Sequence, residues 1–136
     1  MMQNYLVYIE DDPIELIKFK RAYKELDAKT RIESFENGAK GLDFLIENVA
    51  SPPKIIILDL RMPVMNGFEF LEKIKNHLSL RKIPVIVFTS SDDKNDVSLS
   101  YDNQVAGYFV KPFSHDAYKK VVEKINAYWT TSQFSF

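Results

Sequence analysis

The chain has 136 residues, enough for one domain with a real core and too few for two. It is 46% apolar and 27% charged with a net charge of −1, so no global basic field invites nucleic acid or an anionic membrane surface. There is no cysteine, which excludes disulfide and thiolate chemistry and fits a cytoplasmic protein, and no apolar run reaches membrane-spanning length.

In chain order, apolar runs alternate with helical patterns. Residues 1–5 are too polar for a signal peptide. "YLVYI", Tyr5 to Ile9, reads as a strand. "PIELIKFKRAYKEL", Pro13 to Leu26, reads as a helix with Leu16, Phe19, Tyr23 and Leu26 on one face. Asp12 is its expected N-cap, Pro13 its first residue and Glu15 a capping-box partner. "RIESF", Arg31 to Phe35, is a short strand whose alternating charges place it near an edge. A helix follows from Gly38 to Val49 and stops at Ser51-Pro52-Pro53. "IIIL", Ile55 to Leu58, lacks alternation and reads as a strand buried on both faces. The next helix is expected over Gly67 to Leu78, with Asn66 and Glu69 spaced as a capping box. Pro84 to Thr89 is another buried strand, and Lys94 to Tyr101 a weaker helix whose start Asp92, Asp93 and Asp96 would cap. A short strand over Gly107 to Val110 and a helix over Asp116 to Trp129 complete the series. The domain is expected to span 1–127, with 128–136 as a C-terminal aromatic tail and no separate output domain.

Five repeats of strand then helix predict an α/β fold with a parallel sheet covered on both faces. Ligands in such sheets bind outside the carboxyl ends of the strands. The first buried strand ends in Glu10-Asp11-Asp12, the third in Asp59, the fourth in Thr89 and the fifth in Lys111. The topology would gather these ends at one edge. Clustered carboxylates repel unless a cation joins them. No His/Cys set is spaced for zinc, with His77 and His115 isolated, and oxygen-only ligands favour Mg²⁺. An aspartate can itself be the nucleophile, forming an acyl phosphate, while Mg²⁺ and Lys111 neutralise the charge that develops. Thr89 can donate a hydrogen bond to a phosphoryl oxygen.

With "EDD", "LDLRMPVMNG", "VFTSS" and "GYFVKPF" in this order, the chain resembles the response regulator receiver domains of the CheY-like type, over about residues 4 to 126. The resemblance implies a doubly wound, flavodoxin-like sheet of strand order 2-1-3-4-5. It implies Asp59 as phosphoacceptor, Glu10 and Asp11 as the acidic pair with Asp11 the direct Mg²⁺ ligand, and the backbone carbonyl of Arg61 as a further ligand. Thr89 would be the switch hydroxyl, Tyr108 the switch aromatic and Lys111 the family's lysine, with a cis peptide at Lys111–Pro112. The phosphoryl group would come from a histidine kinase or a histidine phosphotransfer protein, and the output would be contact with a downstream protein. "SYDNQVAGYFVKPF" and "INAYW" resemble the stand-alone subgroup associated with bacteriophytochromes, which tends to form homodimers through its C-terminal face. Two features depart from the pattern. Glu10 replaces the commoner aspartate, and Asp102-Asn103-Gln104 lacks the usual glycine, so that Asn103 is expected in the left-handed conformation.

Each residue has a plainer reading when taken singly: Asp11 as a turn residue, Thr89 as a strand end, Tyr108 as core, Lys111 as a solvated surface lysine. Ser90 and Ser91 read as loop residues, and Phe113 as packing behind the lysine–proline turn. The aromatics Trp129, Phe134 and Phe136 divide nearly evenly between a partner surface and the plainer alternative, a fold-back onto the domain or a disordered chain end. A haloacid-dehalogenase-like phosphatase also uses a strand-end aspartate with Mg²⁺, but needs a second acid where this chain has Arg61. A nucleotide or flavin module needs a phosphate-cradling loop where this chain has three acids. A receiver-shaped scaffold independent of phosphorylation would usually lack the aspartate or the lysine. The reading favoured is a phosphoacceptor signalling module rather than a multiple-turnover enzyme, binding neither nucleic acid nor membrane.

Overall fold

The computed structural model describes residues 5–27 and 29–132. Five strands, β1 (Tyr5–Ile9), β2 (Arg31–Phe35), β3 (Ile55–Leu58), β4 (Val85–Thr89) and β5 (Gly107–Val110), alternate with five helices. These are α1 (Pro13–Leu26), α2 (Gly38–Glu47), α3 (Gly67–Lys75), α4 (Lys94–Asp102) and α5 (His115–Thr131). The strands form one parallel sheet in the order β2-β1-β3-β4-β5. β2 lies at an edge and is only partly buried, as its charges foretold.

The continuous apolar strands β1, β3 and β4 are buried along their whole length because each face has its own core. Val7, Ile9, Ile56, Leu58, Val85 and Val87 pack with Leu45, Phe70, Leu71 and Ile74 of α2 and α3. Leu6, Tyr8, Ile55, Ile57, Ile86 and Phe88 pack with α1 and α5 through Phe19, Tyr23, Tyr118, Val122, Ile125 and Trp129.

Three helices end sooner or later than their apolar pattern suggests, and asparagine decides where. Asn48, Asn76 and Asn103 each turn the side-chain amide back to the carbonyl four residues earlier, at 2.8, 2.8 and 2.9 Å. These bonds close α2 before Val49, α3 before Leu78 and α4 after Asp102. The left-handed residue after α4 is Gln104 (φ 64°) and not Asn103 (φ −93°), because Asn103 is still occupied in capping the helix.

At the far end, α5 crosses the expected boundary at 127/128 unbroken and runs to Thr131. Trp129 is buried, and its indole N–H donates to the Tyr23 hydroxyl at 2.7 Å. Its fold-back onto α1 follows from the helical spacing that puts it on the stripe of Val122 and Ile125. Phe134 and Phe136 lie outside the described residues.

Candidate functional site

The carboxyl ends of β1, β3, β4 and β5 meet at one edge, and local sequence explains how each side chain is held there. Glu10 follows β1 directly and is buried at 2% exposure. Its carboxylate accepts the Asp12 backbone N–H at 3.2 Å and the Lys111 ammonium. Asp12 caps α1 through the Ile14 N–H at 2.9 Å. The expected capping-box role of Glu15 is not realised: Glu10 already takes the Asp12 N–H, and Glu15 stands 3.6 Å from Lys111 instead. Asp59 is buried at the end of β3, with one carboxylate oxygen accepting the Leu60 N–H at 2.9 Å.

Glu10, Asp11 and Asp59 each bring a carboxylate oxygen within 4.8 Å of the others. Burial, then the Asp59 charge, push the Glu10 carboxyl up to about 7 in spite of the Lys111 ammonium. Lys111 is buried too. Burial pulls its ammonium down, but Asp59 and Glu10 together outweigh that and raise it. One cation among so many carboxylates leaves an excess of negative charge. An all-oxygen donor set of that charge suits a hard divalent cation.

Thr89 is buried at the end of β4, and its hydroxyl lies 3.5 Å from the Ser91 backbone nitrogen. Tyr108, half-buried on β5, donates its hydroxyl to the Ser91 carbonyl at 2.8 Å. The Arg61 side chain points to Asp96 at the start of α4, at 2.5 Å, and Ser91 Oγ donates to the same carboxylate oxygen at 2.7 Å. The Ser91 hydroxyl, ahead of Arg61, holds the Asp96 carboxyl below the usual carboxylate range. Sequence reasoning missed this role of Asp96, which reads as a helix-capping residue; Asp93 is the actual N-cap.

Two expectations are corrected. The Lys111–Pro112 peptide is trans, and no cis bond occurs among the described residues. Trans is the lower isomer even before proline, by about 0.5–1 kcal/mol. Phe113 does not pack behind the turn but is fully exposed.

The loop after Asp59 carries local strain. The Met65 N–H donates to the Pro63 carbonyl at 2.8 Å, a three-residue turn that puts Val64 at φ 67°. Val64 is 80% exposed, so its side chain contributes little in return. Val64→Gly should therefore stabilise the fold by about 1 kcal/mol, the relief of a left-handed β-branched residue less the entropy of glycine. Chemical denaturation would register this as a higher midpoint at constant slope; a lower midpoint would contradict it.

A family model for the response regulator receiver domain matches residues 6–123. The probable methanogenesis regulatory protein FilR2 of Methanothrix harundinacea is 36% identical over 127 residues, covering 91% of this chain and 82% of that protein. Response regulator Rcp1 of Synechocystis is 38% identical over 77 residues, 57% of this chain and 52% of that protein. The crystal structure of its Mn²⁺-bound form superimposes with a TM-score of 0.88 at 28% identity, over 98% of this chain and 100% of that one. The bacteriophytochrome response regulator RtBRR gives a TM-score of 0.79 at 29% identity, over 99% of this chain and 82% of that one. No helix among the described residues is long and apolar enough to cross a membrane. With its five-stranded order, its strand-end acids and a match over most of its length, the chain belongs to the response regulator receiver domain family of two-component systems.

Proposed function

We propose that this protein accepts a phosphoryl group on Asp59, with Mg²⁺, and that the modification switches a protein-binding surface. The observation that carries the reading is the convergence of Glu10, Asp11 and Asp59 beside buried Lys111. An Asp59 carboxylate oxygen attacks phosphorus as the bond to the donor's leaving group breaks, and the leaving group takes up a proton. Asp11, Asp59, Glu10 and the Arg61 carbonyl would hold Mg²⁺, which when bound supplies positive charge against the phosphoryl oxygens. Lys111 exchanges part of its contact with Glu10 for the new phosphoryl oxygens, and the Thr89 hydroxyl donates to one of them. Tyr108 then follows Ser91, altering the face formed by α4, β5 and α5.

The donor is a histidine kinase or histidine phosphotransfer protein of a cytoplasmic phosphorelay. The likeness to RtBRR, a bacteriophytochrome response regulator, supports a bacteriophytochrome as the sensor, and the C-terminal face is the proposed surface of a homodimer. The Mn²⁺ in the Rcp1 structure supports a divalent cation here. The test is intact mass after incubation with a small acyl phosphate, with and without Mg²⁺. A single phosphoryl adduct is expected in the wild type with Mg²⁺, and none in folded Asp59→Asn. An adduct that persists in Asp59→Asn would remove Asp59 from the role.

A further inference from the structure

Helix α4 is held unlike the other four. Its buried residues are Asp96 and Ser100, both polar, while Leu99 and Tyr101 face solvent. The Ser100 hydroxyl is spent on the helix itself, donating to the Asp96 carbonyl at 2.7 Å. The attachment of α4 to its surroundings thus falls heavily on the Asp96 carboxylate. An element with few buried apolar contacts sits at the low-stability end of a fold, where a single polar clamp can set its position.

That carboxylate joins three segments. One of its oxygens accepts from Arg61 in the loop after β3 and from Ser91 in the loop after β4. Ser91 is in turn the node between the two candidate switch residues: its carbonyl receives the Tyr108 hydroxyl and its N–H faces the Thr89 hydroxyl. Arg61 lies two residues beyond Asp59. A doubly charged phosphoryl group there would compete with Asp96 for the guanidinium and would draw Thr89 from Ser91. Every one of these exchanges loosens the clamp.

Resting on the phosphorylation reading above, we propose that Asp96 is a positioning residue that clamps Arg61 and Ser91 together, holding α4 and the β4–α4 loop in the unphosphorylated arrangement and opposing phosphorylation of Asp59. The clamp and the phosphoryl group draw on the same donors, so binding energy spent on one is withheld from the other. Removing the carboxylate charge shifts the resting population toward the arrangement that the phosphoryl group needs.

The experiment compares wild type, Asp96→Asn, Arg61→Ala and the double variant. The rate of adduct formation with a small acyl phosphate and Mg²⁺ is followed by intact mass, and amide hydrogen exchange over residues 91–102 is measured without donor. Asp96→Asn should form the adduct roughly three- to tenfold faster because it frees the Arg61 guanidinium, whereas Arg61→Ala, which loses that donor together with the clamp, should gain less, and the double variant should be no faster than Arg61→Ala. Exchange over 91–102 should rise in all three. Faster exchange in Asp96→Asn at the wild-type rate of phosphorylation, or a double variant as fast as Asp96→Asn, would overturn the clamp, leaving Asp96 as a support for α4 alone. If the wild type formed no adduct, the Asp59 reading would fall with that result. Unchanged exchange in Asp96→Asn would separately remove the clamp.

Discussion

Gly67→Ala should destabilise the protein by about 3 kcal/mol, the upper range for overpacking a core, and lower the melting temperature by roughly 10 °C. Gly67 opens α3 just after the Asn66 cap, and its N–H donates to the Leu60 carbonyl at 2.9 Å. A Cβ there would stand 2.7 Å from the Leu60 Cα and 2.8 Å from the Asp59 carbonyl oxygen. Both are backbone atoms and neither can rotate aside. Either α3 lifts or the Asp59–Leu60 peptide moves, so the lesion should also impair adduct formation at Asp59. Gly41→Ala makes the informative contrast. Its Cβ would meet the Ile9 Cδ1 at 2.6 Å, the far end of a flexible side chain. Alanine also favours the helix by about 1 kcal/mol, which offsets part of the crowding. Thermal melts of the two variants should therefore differ widely. Equal losses would mean that the backbone contact at Gly67 is not the cause.

Stability of the metal-free protein should fall as pH rises from 4.5 toward 7. The Glu10 carboxyl, pushed up to about 7 by burial and by Asp59, keeps its proton in the folded state over a range where the unfolded chain has released it. The folded state then binds more protons than the unfolded one, and the linked slope is negative. The favourable contribution is complete below the unfolded value and gone above the folded one. At 1.36 kcal/mol per unit its full size is about 3 kcal/mol. Lys111 is raised above its ordinary value and stays charged throughout this window, so it adds no slope of its own. Two consequences can be measured together by thermal melting across pH. Asp59→Asn, which removes one repelling carboxylate, should be more stable than wild type at neutral pH and should flatten the slope. Mg²⁺ should raise the melting temperature more at pH above 7 than near 5, because the cation competes with the Glu10 proton. A wild-type profile that is flat, or that rises with pH in the absence of metal, would contradict the buried charge excess.

The local chemistry of this chain was written in its sequence. Residues that end each apolar run are fixed in position by the strand itself, so Glu10, Asp59, Thr89 and Lys111 could be placed at one sheet edge from periodicity and topology alone. Caps were equally legible where one side chain meets a nearby N–H, as at Asp12 and Asn66. The tertiary structure decided what depends on competition between distant groups. Glu15 suited a capping box until Glu10 took its N–H and Lys111 offered a nearby charge. Asp96 suited a cap until Arg61 and Ser91 converged on its carboxylate from loops 35 and 5 residues away. Trp129 could have faced a partner, and it was the hydroxyl of Tyr23, 106 residues earlier, that gave its indole a partner inside the core. Periodicity reports which face of an element is apolar. It carries no information on which of several polar partners will reach a buried donor first, and that choice is made by packing.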